Sequence, residues 1–147
     1  SSVAMPYTLK AAEDGFGVAP EIARATVSLG ATVNLDGTSV YQVMALIFLM
    51  SLFGDVAGVT ITASTLLSVA VLVVLYSVGT PGVPGGSVKV IQDVLVMFGI
   101  PPGVIGIILP TDRLLDMSRS AVNVSGDLFT AGVTDRICRG RSRNGDF

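Results

Sequence analysis

Residues 112–127 read DRLLDMSRSAVNVSGD, and the class of the whole chain turns on what that stretch does. Five of its strongly polar residues, Asp112, Asp116, Arg119, Asn123 and Asp127, are separated by steps of four, three, four and four. At about 100° per residue, all five fall within roughly 80° of one helix face. Leu114, Leu115, Met117, Ala121, Val122 and Val124 take the remaining faces. A soluble amphipathic helix can carry the same stripe toward water, so the choice depends on the surrounding sequence.

That surrounding sequence is apolar. Half of the 147 residues are hydrophobic, 14% are charged, and the mean hydropathy is +0.73, whereas globular domains average about 25% charged residues. Between Asp36 and Lys89 the only charged residue is Asp55, too little to coat a soluble surface. The chain reads as an all-α membrane protein. Ionisable residues at membrane depth are costly and by default mark a bundle interior or a wet cavity. The Asp112–Asp127 stripe is therefore read as a site.

Other classes are excluded or weakened. With no His, no His-based metal site, triad or proton relay can be built, and a single Cys138 rules out an intramolecular disulfide and a Cys-rich metal site. The net charge of −2 says little about partners, because charges held in a site do not steer encounters. Arg136, Arg139, Arg141 and Arg143 cluster near the end without aromatic interleaving. They read as a cytoplasmic tail under the positive-inside rule rather than as a nucleic-acid surface. The start, SSVAMPYTL, has neither an initiator Met nor a signal-peptide pattern, so the chain reads as the C-terminal part of something longer.

Taken in order, Met5 to Ala12 suggests one helical arm, and Glu13 to Gly17 a polar turn. A helix beginning near Pro20, in a broken-helix unit spanning 18–53, is expected to unwind at NLDGT (34–38), because Asn, Asp and Gly compete with helical backbone bonding. Gly54 to Gly58 is expected to be a loop. Thr60 to Val78 is a nearly unbroken apolar run that ends in SVGTPGVPGGS (77–87). With four Gly and two Pro in eleven residues, that stretch cannot be helical. Val88 to Phe98 would be about 16 Å long, too short for a ~30 Å hydrocarbon core, so 60–98 reads as a re-entrant hairpin. After the GIPP turn (99–102), a last transmembrane helix is expected over 103–138, followed by a polar, disordered tail over 139–147.

Discontinuous helices at the bilayer midplane are how secondary transporters hold ions and substrates. Arg119 can grip a carboxylate through two parallel hydrogen bonds. Asp116, one turn away, can hold an ammonium group or neutralise Arg119. Asp127, Asn123, Asp36 and Asn34 offer hard oxygens suited to a small cation.

Three stretches carry a resemblance to a known family. SLGATVNLDGTSVYQ, SVGTPGVPGGS and DRLLDMSRSAVNVSGD resemble, in order and spacing, the signatures of the dicarboxylate/amino acid:cation symporters, the glutamate-transporter family. The likeness runs to about Ile137. It implies the C-terminal part of a transport domain, with residues 1–14 as the second arm of a first re-entrant hairpin and the trimerisation scaffold absent. It also implies that Arg119 binds the substrate's distal carboxylate, Asp116 its amino group, and Thr38, Ser120 and Asn123 the remainder, with Ser2 and Val83 at the two hairpin tips covering it. For sodium, it implies one site from Gly30, Asn34, Asn123 and Asp127. A deeper site would use Asn34 and Asp36, and a third Thr32 with the backbone of Ser77, Val78 and Thr80. Asp112 would be a helper acid near the cation cluster. Leu35 stands where the family has Met, and Ser120 where it has Thr.

The function expected is sodium-driven symport of aspartate or glutamate by a homotrimer in a bacterial-type inner membrane, multi-pass and with a cytoplasmic C-terminus. It involves no enzyme activity and no nucleic acid. The alternative is a proton-coupled C4-dicarboxylate symporter. Asp116 argues against it, because a carboxylate there repels a second carboxylate. An intramembrane aspartyl protease using Asp36 and Asp127 would leave Arg119 without a role, and VSGD lacks the first glycine of GxGD. A non-functional fragment is the remaining reading.

Overall fold

A computed structural model describes residues 3–77 and 85–144. Among these residues no strand forms and six α-helices do. Helix α1, Met5–Lys10, continues into a π-helical turn, Ala11–Gly15. Helix α2 is Pro20–Val33, α3 is Asp36–Ala57, α4 is Ala63–Ser77 and α5 is Gly86–Met97. A 3₁₀ turn, Pro102–Ile107, leads into α6, Leu109–Asn144.

Helices α2 and α3 are one span interrupted. Pro20–Ala57 is the one stretch among the described residues long and apolar enough, by length and composition, to cross a membrane. Its interruption is narrower than NLDGT suggests. Only Asn34 (φ −92°, ψ 70°) and Leu35 (φ −103°, ψ 48°) leave helical geometry. The Ser39 amide already bonds to the Leu35 carbonyl at 2.8 Å. Asp36 thus opens α3, where an acid is favoured by the helix dipole, and Gly37 and Thr38 lie inside the helix.

Several further bounds differ from expectation. The polar turn expected over Glu13–Gly17 is π-helical through Gly15, and the last helix begins at Leu109, after the 3₁₀ turn, rather than at 103. The expected loop at Gly54–Gly58 is helical through Ala57, and the turn falls at Gly58, whose φ of 68° suits a residue without Cβ. Gly54 permits this, since a Cβ there would stand 2.9 Å from the Val59 carbonyl oxygen. The expected disordered tail is helical through Asn144. Asp135 and Arg139 form an i,i+4 ion pair of 2.7 Å along that helix, and Arg139 Nη2 also donates to the Gly17 carbonyl at 2.7 Å. Asp135 accepts from the Ala19 amide at 3.0 Å, which fastens the start of α2 to α6.

Burial divides into two cores. In the larger, Leu46, Leu49 and Met50 of α3 pack with Val69 and Val73 of α4 and with Val90, Ile91, Val94 and Leu95 of α5. Helices α4 and α5, with 15 and 12 residues, are roughly 22 and 18 Å long. Neither reaches across a ~30 Å hydrocarbon core. The smaller core joins Ala12, Val18, Ala23 and Val27 to Ala131 of α6. The 36 residues of α6 extend roughly 54 Å, and α6 lies against both halves of the broken helix. Its polar face therefore meets the break. Large apolar side chains such as Leu29, Met44, Phe48 and Phe129 remain exposed, as suits lipid or further protein.

Candidate site at the helix break

Toward the start of α6, Arg119 organises the polar face. Its side chain is only 5% exposed. Its Nη2 lies 2.7 Å from Asp116 Oδ1 and 3.2 Å from Asp112 Oδ1. From α3, the Tyr41 ring sits 4.1 Å from the guanidinium carbon, within cation–π range, and the Tyr41 hydroxyl donates to Asp112 Oδ1 at 2.9 Å. Nε and Nη1 of Arg119 are buried and have no partner among the described residues. Among the described residues, three of the five guanidinium N–H donors are thus unmatched. Leaving donors of a buried charged group unmatched costs about 1–3 kcal/mol or more, so an acceptor placed against them would be stabilising. Arg119 and Tyr41 line an open groove of about 610 Å³ between α3 and α6.

Two turns further on, Asp127 forms no salt bridge among the described residues. Asp127 is 3% exposed, and its Oδ1 accepts from the Asn34 amide at 3.1 Å. Gly30 lies so close that a Cβ there would overlap that carboxylate oxygen. Gly30, Asn34 and Asp127 line one cavity of about 290 Å³. Asp36 comes alongside, its Oδ2 near Gly126. Among the described residues no three His, Cys, Asp or Glu side chains converge. Two carboxylates are oxygen donors of the kind a small hard cation takes.

Asn123 bridges the two regions. Its Oδ1 accepts from the Gly37 amide at 2.9 Å, and its Nδ2 donates to Thr38 Oγ1 at 3.0 Å. The approach depends on Gly37, where a Cβ would stand 2.9 Å from the Arg119 carbonyl oxygen and from Val122 Cβ.

The structure therefore brings Arg119, Asp116 and Asp112 together, joins Asn123 to Thr38, and sets Gly30, Asn34 and Asp127 side by side. Thr32 is exposed and its hydroxyl bonds to the Leu29 carbonyl of its own helix at 3.0 Å. Ser77 is buried, bonded to Val74 and Ser39. Ser120 is half-buried. Ser2, Val78, Thr80 and Val83, and with them both expected hairpin tips, lie outside the described residues.

Sequence reading missed Tyr41 and Gln42. Gln42 is fully buried on the face shared with Leu46 and Leu49, and neither end of its amide has a partner among the described residues. A signal was present: both follow Thr38 by three and four residues in an otherwise apolar helix, which places them one turn below the break.

An all-α chain with a broken apolar helix, two short apolar helices and a charged helix face at the break has the architecture of a secondary-transporter binding region. Comparison with known proteins makes this specific. The chain belongs to the sodium:dicarboxylate symporter family, whose model matches residues 1–137. It is similar to glt-4 of Caenorhabditis elegans, provisionally named a sodium-dependent excitatory amino acid transporter, at 31% identity, covering 99% of this chain and 28% of that one. It is also similar to human neutral amino acid transporter A at 32%, with 99% and 27% covered. Rat excitatory amino acid transporter 1 is 32% identical, with 99% and 26% covered. The chain thus spans about a quarter of the length of these curated relatives.

Proposed function

We propose that this chain carries substrate and coupling-ion sites of a sodium-driven symporter of acidic amino acids. The observation that supports it most is the asymmetry of Arg119. One nitrogen is held by Asp116 and Asp112, while Nε and Nη1 are buried and have no partner among the described residues. A substrate carboxylate supplies the missing acceptors. Asp116, a third exposed at its side chain, is open to a substrate ammonium group. An acidic amino acid brings both charges to this pair. A plain dicarboxylate meets Asp116 and Asp112 as like charges, which disfavours it.

Sodium is the coupling ion on this reading. Asp127, with Asn34, Asn123 and the backbone at Gly30, forms one site, and Asn34 with Asp36 contributes to a second. Thr32 and the chain around Ser77, Val78 and Thr80 form a third. Thr38, Ser120 and Asn123 complete the substrate site, which Ser2 and Val83 cover. The family name and the sodium-dependent relative support this cation. The working protein is a multi-pass homotrimer in the cell membrane. Its C-terminal end is cytoplasmic, as the exposed arginines 136, 139 and 141 suggest.

The test is radiolabelled aspartate uptake by the natural gene product in proteoliposomes, under a sodium gradient without a proton gradient. Uptake that requires sodium and resists excess succinate is the expected result. Uptake driven only by protons, or blocked by succinate, would replace this reading with a proton-coupled dicarboxylate symporter.

A further inference from the structure

The Asn34–Asp127 contact depends on a residue that contributes no side chain. Built on Gly126, a Cβ would stand 2.7 Å from Asn34 Nδ2, 3.6 Å from Asn34 Cγ and 3.3 Å from Asp36 Oδ2. The nearest is closer than carbon and amide nitrogen can pack. Gly30 makes the reciprocal case: a Cβ there would overlap the Asp127 carboxylate. Each side of the crossing thus has a bare position facing a polar group of the other. Other glycines of α6 differ, since Gly132 and Gly140 have nothing within 4 Å of such a Cβ.

We propose that Gly126 is a positioning residue for the cation site: the space it leaves is where the Asn34 amide reaches the Asp127 carboxylate. Adding a methyl group at 126 meets side-chain ends, not backbone. The fold survives, and the Asn34 amide is the group that yields. The hydrogen bond that aims Asp127 is then lost, while Asp36 Oδ2, at 3.3 Å, need give by only a few tenths of an ångström. The proposal rests on the reading of Asp127 as a sodium ligand.

The test uses the natural gene product, with two readouts. One is the half-saturating sodium concentration for aspartate uptake. The other is sodium-dependent thermal stabilisation in detergent without substrate, which does not require transport. Gly126→Ala is expected to raise both sodium requirements about tenfold, the scale of one charge-assisted hydrogen bond, while aspartate KM at saturating sodium stays within about twofold. Gly132→Ala should match wild type. In an Asn34→Ala background, Gly126→Ala should add less than about twofold, because its effect passes through Asn34. A merely structural defect would add its full effect in both backgrounds, and that result overturns the proposal. So does an unshifted sodium response, or the absence of folded Gly126→Ala protein, since Asn34 would then not be what yields. Asp127→Asn separates the two levels. If it leaves sodium dependence unchanged, the sodium reading fails and takes the proposal with it. If it shifts sodium dependence while Gly126→Ala does not, only the proposal fails.

Discussion

The two ends of one helix face hold charge differently. Near Arg119, two carboxylates share a guanidinium, an aromatic ring lies over it, and the cluster contains its own counter-charge. Near Asp127, a second carboxylate, Asp36, lies close by, and neither forms a salt bridge among the described residues. The first region has surplus donors and the second surplus negative charge. At membrane depth neither is cheap to leave uncompensated. On the reading proposed above, one polar stripe would take two ligands of opposite demand, an anion-bearing one and a cation, less than 15 Å apart on a helix rising about 1.5 Å per residue. Asn123 lies between them on α6 and is bonded to Gly37 and Thr38 beside the break.

The largest expected effect falls on the Arg119 end. Arg119→Ala removes the surplus donors and leaves Asp112 and Asp116 without their counter-ion. Truncating a buried charge partner costs about 2–5 kcal/mol, so the aspartate KM should rise about a hundredfold or more. Neutral amino acids, which need no partner for a distal carboxylate, should still be carried. An aspartate affinity close to wild type would dissolve the contrast between the two ends.

Asp127→Asn is expected to rank next. It keeps the shape and the neighbour Asn34 but halves the negative charge of the second region. The sodium titration should move to higher concentration by about tenfold or more, since hydrogen-bonded and Coulombic partners of a charge contribute about 1.5–3 kcal/mol. Aspartate KM at saturating sodium should change far less. Equal shifts in both titrations would mean that the two ends act as one site.

How much of this could be read in advance follows from distance along the chain. The stripe over residues 112–127 is local and periodic, and the structure keeps its five polar residues on the face that meets the break. The interruption at Asn34 and Leu35 was visible in NLDGT, though too widely drawn, because Asp36 and Gly37 look like turn residues and act as a helix start. The partnership of Tyr41 with Asp112 and Arg119 crosses about 70 positions, and no local pattern records it. The same holds at the end of α6. The arginines there resemble a loose tail, yet Arg139 is tied to Asp135 and to Gly17 across more than 120 positions. Gly126 looks like a helix weakness in sequence; only the packed pair shows why its bareness is useful.

The smallest expected effect is the most discriminating about the first region. Tyr41→Phe keeps the ring over Arg119 but removes the hydroxyl that donates to Asp112 at 2.9 Å. Losing one hydrogen bond to a charged group is worth about 1.5–3 kcal/mol when buried. Here Asp112 keeps its contact with Arg119 at 3.2 Å and is partly exposed, so the lower end applies and aspartate KM should rise about tenfold or less. Tyr41→Leu also removes the ring, whose cation–π contribution is about 0.5–2 kcal/mol, and should cost more than Phe. If Phe and Leu are equally harmful, the ring contributes nothing and Tyr41 acts only through Asp112. If Phe is silent and Leu is not, the guanidinium is positioned by the ring, and Asp112 serves mainly to balance its charge. Neither variant should move the sodium titration. A shift there would couple Tyr41 to the far end of the face and make Asn123, bonded to Gly37 and Thr38 one turn away, the connecting residue.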